Sequence, residues 1–206
     1  EDRPNFPETP ARIEPARLED LGADLTDVVA ELSSSAESLG KGLHPTTAAM
    51  LADQVRIMNT YYSNLIEGHN TRPRDIARAM TGDFDKDPER RNLQIEAAAH
   101  VRVQTEIDRL GRAGKIGEPA DRDFIRRLHR EFYEGASGAM LTIKGADSSF
   151  QMVPGEWRSR PDHDVEVGRH IPPSSSRVPV FMEYFEERYR LASLGKGNRI
   201  LAIPAA

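Results

Sequence analysis

Residues 45–68 read PTTAAMLADQVRIMNTYYSNLIEG. Met50, Leu51, Val55, Met58, Tyr62, Leu65 and Ile66 recur at three- and four-residue steps, the period of a helix with an apolar stripe. Pro45 suits the first helical position, where its missing N–H has no intrahelical partner to lose. Gly68 is a natural stop, because glycine adopts the left-handed conformation that closes many helices. The stretch therefore predicts a helix running from Pro45 to Glu67. Similar patterns lie on both sides of it. Leu21, Leu25, Val28 and Leu32 form an earlier stripe that Gly40 and Gly42 punctuate. Arg91 to Leu110 puts Leu93, Ala97, Val101 and Ile107 on one face. Phe124, Leu128 and Phe132 give the next, with Pro119 where a first helical residue is tolerated and Gly135 as the stop. The period returns at Val180, Met182, Phe185 and Tyr189. Repeated amphipathic helices define an all-α fold.

Three stretches depart from the helical pattern. Pro4, Pro7, Pro10 and Pro15 forbid a helix and favour an extended arm over residues 1–15. A short segment from Pro73 to Met80 leads into the acidic, turn-like stretch Thr81 to Pro88. Ala136 to Pro173 is rich in glycine and proline and holds β-prone pieces such as Val165-Glu166-Val167, which predict a small β-hairpin. The organisation read from these shifts is an arm at 1–15, a helical region at 16–88 and a core at 89–206. Near Asn198 another helix starts, and the chain then stops on the apolar run Ile200-Leu201-Ala202-Ile203. The expectation is that the polypeptide continues past Ala206.

Composition narrows the classes. The chain has 206 residues, 28 Lys plus Arg against 33 Asp plus Glu, a net charge of −5, and no cysteine. Disulfides, thiol nucleophiles and thiolate metal sites are excluded, which suits a reducing compartment. A mildly acidic chain lacks the dominant basic surface of a non-specific nucleic-acid binder, so no direct nucleic-acid partner is expected. No apolar run approaches membrane-spanning length, and Glu1-Asp2-Arg3-Pro4 is no signal peptide. A soluble, cytoplasmic protein with no membrane partner is the expectation.

Most candidate motifs have ordinary readings. Gly195-Lys196-Gly197 lacks the spacing and the Lys-Ser/Thr end of a P-loop. The histidines His44, His69, His100, His129, His163 and His170 show no zinc-type spacing. Asp162-His163-Asp164 reads as a solvated hairpin tip. Arg122, Arg126, Arg127 and Arg130 alternate with Asp121, Asp123, Glu131 and Glu134, as on a solvated helix face. Ser63-Asn64-Leu65-Ile66-Glu67-Gly68 is different. Ser63 and Glu67 are four apart and share a face. A carboxylate at a helix C-terminus opposes the macrodipole, so full solvation or a cationic partner must compensate. By itself the hexapeptide is also consistent with a solvated glutamate before a capping glycine.

The surrounding sequence adds a resemblance. Ser63-x-x-x-Glu67-Gly68 is similar to the inhibitory-helix motif of Fic (filamentation induced by cAMP) proteins. Asp123-Phe124-Ile125-Arg126-Arg127-Leu128-His129 resembles the Fic helix that ends in a leucine–histidine pair. Pro154-Gly155-Glu156-Trp157-Arg158 is similar to the opening of the family's flap. Val165-Glu166-Val167-Gly168 and Ile171-Pro172-Pro173 resemble its second strand and exit, and Val178-Pro179-Val180-Phe181-Met182 the start of the next helix. The pieces keep the family's order and spacing from about Tyr61 to the C-terminus.

That resemblance implies a Fic-like helical bundle with a β-hairpin flap. It implies a protein adenylyltransferase that moves AMP from ATP, with Mg²⁺, onto a Ser, Thr or Tyr hydroxyl of a target protein. The family's His-x-Phe-x-Asp/Glu-Gly-Asn-Gly-Arg loop is missing from the 206 residues, so no catalytic residue and no metal ligand is assigned here, and the loop is expected beyond Ala206. Within the chain, the resemblance makes Glu67 the inhibitory carboxylate, opposite the loop's arginine beside the ATP γ-phosphate, with Ser63 and Gly68 fixing its helix end. It makes Glu156, Arg158, Val165, Glu166 and Val167 a target-docking flap, whose edge over Glu156 to Ile171 would register an extended target segment by main-chain hydrogen bonds. A homodimer fits the family habit of pairing through helices. The alternatives are a non-catalytic helical interaction scaffold, and deAMPylation or another nucleotide transfer by the complete protein.

Overall fold

The computed structural model describes residues 8–10, 22–145, 149–166, 168 and 170–192. Val167, most of the Pro-rich arm and the helix start near Asn198 lie outside the described residues. In chain order the helices are α1 (Ala23–Lys41), α2 (Pro45–Ile66), α3 (Pro73–Met80), α4 (Pro88–Arg112), α5 (Arg122–Phe132) and α6 (Val178–Arg188). Two strands, β1 (Thr142–Lys144) and β2 (Ser149–Gln151), separate α5 from α6. The mainly helical class with one small antiparallel sheet follows the sequence reading.

Local chemistry sets the helix ends. Thr46 N–H donates to the His44 imidazole at 3.3 Å ahead of Pro45. The α4 helix is longer than its apolar period suggests, because Asp87 caps it by accepting the Arg90 N–H at 3.0 Å and Pro88 takes the first helical position. Asp121 does the same for α5, accepting the Phe124 N–H at 2.7 Å. That cap starts α5 at Arg122, so Pro119 belongs to the turn before it rather than to its first position. The short Pro73–Met80 segment is itself helical and buries Ile76 and Ala79.

Two compact units divide the chain. One comprises Asp27–Ile116 and Leu128–Leu141. In it, α4 packs on α2 and α3, so tertiary contact groups the helices differently from the sequence division near residue 88. Its core is Ile76, Ala97 and Val101, with Ile57 and Tyr61 packed alongside. The fully buried residues of α2 are polar, Arg56, Thr60 and Asn64, and the half-buried Ile57 and Tyr61 lie beside them. Arg56 donates to Asp108 at 2.9 and 2.6 Å and to Asp53 at 2.6 Å. Gln104 of α4 donates to the Thr60 hydroxyl at 3.3 Å. Of the apolar stripe that marks α2 in the sequence, Met58 is half-buried and the rest faces outward, with Met50 66% and Ile66 84% exposed. Leu25, Val28, Leu32 and Leu39 of α1 are exposed as well.

The other unit comprises Glu1–Thr26, Gly117–Arg127 and Thr142–Ala206. Here β1 and β2 pair antiparallel with Ile143 opposite Phe150. The hairpin therefore lies upstream of the expected Glu156–Ile171 stretch, which among the described residues forms no strand and only an isolated bridge at His170. Pro161 explains much of this. It opens a 3-10 turn, Pro161–His163, and removes a donor that a strand would need. A second 3-10 turn, Ser175–Arg177, leads into α6. Arg122 ties α5 to α6 through Glu186 at 2.7 Å, and Phe181 and Tyr189 are buried.

Ile76 is 0% exposed at the centre of its cluster. Ile76→Ala leaves a cavity there and lowers unfolding stability by about 3 kcal/mol, read as a reduced midpoint in urea at unchanged slope.

Candidate functional site

The end of α2 is built by backbone geometry. Glu67 is the C-cap, at φ −78° and ψ 2°. Gly68 follows at φ +83°, in the left-handed region. The Gly68 N–H donates to the Leu65 carbonyl at 3.1 Å and the His69 N–H to the Asn64 carbonyl at 2.7 Å. Those two bonds are the Schellman arrangement, which satisfies carbonyls that a helix end otherwise strands. The chain must reverse sharply at Gly68, and only a residue without Cβ does so without strain.

This closure leaves Glu67 exposed at the negative end of the α2 dipole, with Ser63 exposed one turn before it. Among the described residues Glu67 has no ion pair. Of the two compensations that its position demands, solvation is the one present here. Beneath it the environment is drier. Asn64 is buried and its side-chain N–H₂ has no hydrogen-bond partner. The His69 Nδ1 lies 3.6 Å from Glu96, too far for a hydrogen bond. Ser63, Glu67 and Gly68 thus sit together on one exposed helix terminus.

The residues that the resemblance assigns to a flap are held in a different way. Glu156 accepts from Arg126 at 2.9 Å, and Arg126 also donates to the Gly155 carbonyl at 2.8 Å. Arg158 donates to the Ser175 hydroxyl at 3.0 Å and to the Pro173 carbonyl at 2.8 Å. Asp164 accepts the N–H of Ser175, which is fully buried, at 2.6 Å. Glu156 and Arg158 are therefore anchors of their own unit in the described structure. Val165 and Glu166 belong to no strand. Of the expected hairpin tip, Asp162 meets Arg160 at 2.9 Å and the His163 ring stacks on Phe150 at 4.3 Å. Asp164 is a structural acceptor, not a solvated one.

One contact had no sequence signal at all. The Glu8 carboxylate accepts the Ser174 N–H at 2.9 Å and the Ser174 hydroxyl at 2.6 Å, and these bonds hold its pKa below the usual glutamate value. Part of the Pro-rich arm is thereby pinned beside the turn that precedes α6. Burial pushes the pKa of His100 and His129 down and that of Tyr133 up. His100 meets Phe132 edge-on at 6.1 Å, and the His129 ring lies 4.9 Å from Tyr133.

No grouping of three or more His, Asp or Glu side chains suited to a metal occurs among the described residues. No described helix is long and apolar enough to cross a membrane. Comparison of the chain with protein-family models, with curated proteins and with solved structures found no match.

Open space surrounds a Cβ built at Gly68, so Gly68→Ala costs only its backbone conformation. It lowers stability by about 1 kcal/mol in chemical denaturation, and Gly68→Asn by less. His100 and His129 generate a pH prediction. Their folded pKa lies below the unfolded value of about 6.5, so the unfolded chain binds more protons as the pH falls. Their contribution is complete above that value and declines below it. Thermal stability drops as the pH falls from about 7 to 5, and His100→Gln reduces the drop.

Proposed function

We propose that this chain is the regulatory and docking part of an autoinhibited Fic-type protein adenylyltransferase. The observation that supports it is the α2 terminus: an exposed carboxylate at the wrong end of a helix dipole, without an ion pair among the described residues. Under this reading the compensating cation is the arginine of a catalytic loop that follows Ala206 in the complete protein. That ion pair would withdraw the arginine from the ATP γ-phosphate, and the Glu67 carboxylate would repel the phosphate directly. Ser63 and the Gly68 turn would hold Glu67 at a fixed height. Under the same resemblance, the metal ligands would also come from the loop. Target docking is assigned to the stretch from Glu156 to Ile171, which includes Val165 and Glu166, rather than to a formed hairpin.

A second reading has its own observation. The outward stripe Met50, Leu51, Val55, Tyr62, Leu65 and Ile66 is an exposed apolar face of the kind that marks protein contacts. On its own it supports a non-catalytic helical scaffold. In the adenylyltransferase reading, the rest of the catalytic domain covers the same stripe.

Transfer of labelled AMP from α-labelled ATP, by a polypeptide long enough to include the loop, decides between them. Glu67→Gly raises self- or target labelling at least tenfold, equivalent to about 1.4 kcal/mol at the transition state. No change in labelling, with ATP binding intact, overturns the inhibitory assignment. A polypeptide with no transfer activity in either form supports the scaffold.

A further inference from the structure

We propose that the cleft between the start of α3 and the first turns of α4 binds a phosphate-bearing small molecule. The cleft has a volume of about 450 Å³, within the usual range for small-molecule sites. Four guanidinium groups line it, from Arg72, Arg74, Arg78 and Arg90, against the two carboxylates of Asp75 and Asp85. The chain as a whole is acidic, so this local excess of positive charge runs against its composition.

Inside the cleft only long ion pairs, at 3.8 to 3.9 Å, offset Arg74, Arg78 and Arg90. Arg78 is paired, through its Nε to Asp83 at 2.8 Å. Arg74 stands 3.8 Å from Asp75 and Arg90 3.9 Å from Asp85, both beyond hydrogen-bond reach. Arg72 has no ion pair among the described residues. Asp85 is partly engaged elsewhere, since its Oδ1 accepts the Asp87 N–H at 2.9 Å. Each guanidinium carries five donors in a planar fork, so the cleft presents far more donors than acceptors. Phosphate oxygens match that fork in charge and in geometry, and bidentate pairing favours them over a spherical anion such as chloride.

The walls are built, not accidental. Gln94 is only 4% exposed. Its side-chain oxygen accepts the Asp85 N–H at 2.6 Å, which fixes the loop that carries Asp85. Thr71, also in the lining, is buried. The α3 helix begins without a side-chain cap, so the positive end of its dipole adds to the arginines. The volume exceeds that of a lone phosphate and leaves room for the body of a phosphorylated compound.

The test is a calorimetric titration of the 206-residue chain with inorganic pyrophosphate, a probe that carries the shared chemistry without the organic part. One saturable site is expected. Arg72 and Arg90 are exposed, so the double substitution Arg72→Ala, Arg90→Ala leaves the core intact and weakens binding at least tenfold. Arg109→Ala, which removes an exposed arginine paired with Glu106 near the other end of α4, leaves binding unchanged. Asp75→Asn removes a competing carboxylate and tightens binding several-fold, a gain that misfolding cannot produce. Non-saturable binding overturns the proposal, as does equal loss in the Arg109 and Arg72/Arg90 variants or no gain with Asp75→Asn. The readout is binding at α3 and α4, so it stands apart from any result on adenylyl transfer.

Discussion

The guanidinium of Arg56 is the interaction on which the orientation of α2 depends. It is 5% exposed, yet it reaches Asp108 on α4 and Asp53 on its own helix. A buried cation of this kind must be paired, because an uncompensated one costs several kcal/mol. Thr60 and Asn64 continue the same line at four-residue steps, so the helix can meet α4 in one rotation only. With that rotation fixed, the apolar stripe must point away from α4, and Ser63 and Glu67 must emerge at the exposed end. Removing Asp108 would release the constraint at its strongest point, since two of the three Arg56 bonds go there.

The helix ends were legible because they are set locally. Pro45 and Gly68 each act through one residue's backbone, and both bound α2 as read. The buried face was not legible. Apolar period normally identifies the core side of a helix, and here it identifies the side turned outward. The reason lies on α4, which presents Gln104 and Asp108 as partners for Thr60 and Arg56, a match visible only once the helices are placed. The start of α4 was missed for a smaller reason. Asp87 and Pro88 precede the first apolar residue of the pattern, so a reading by stripe begins too late.

The excursion between α5 and α6 shows the limit of short motifs. Val165-Glu166-Val167 has the right composition for a strand, but β-propensity is realised only against a partner. Thr142–Lys144 and Ser149–Gln151 find each other across a short connection, while Pro161 breaks the later stretch. What holds that stretch instead is side-chain bonding to distant backbone: Arg158 to Pro173, Asp164 to Ser175, and Glu8 to Ser174. The last of these spans most of the sequence, and no local pattern encodes it. A resemblance of motifs could suggest Arg158 as a flap residue, but it could not show that Arg158 also anchors the turn before α6.

The connector from Glu67 to Arg74 carries charges that local stability would exchange. A carboxylate closes α2, where a cation is favoured, and Arg72 and Arg74 open α3, where an anion is favoured. Asp75 offsets the second anomaly in part, and solvation of the exposed Glu67 offsets the first. Each misplacement costs a few tenths of a kcal/mol at an exposed terminus, which a stable core can absorb. Residues set against local preference mark the places where function or strain is to be sought. On that argument the two proposals share one premise: a cation would answer Glu67 and an anion the α3 cleft. The Gly68 turn, with its two bonds back onto α2, holds the first of these at a fixed position ahead of the second.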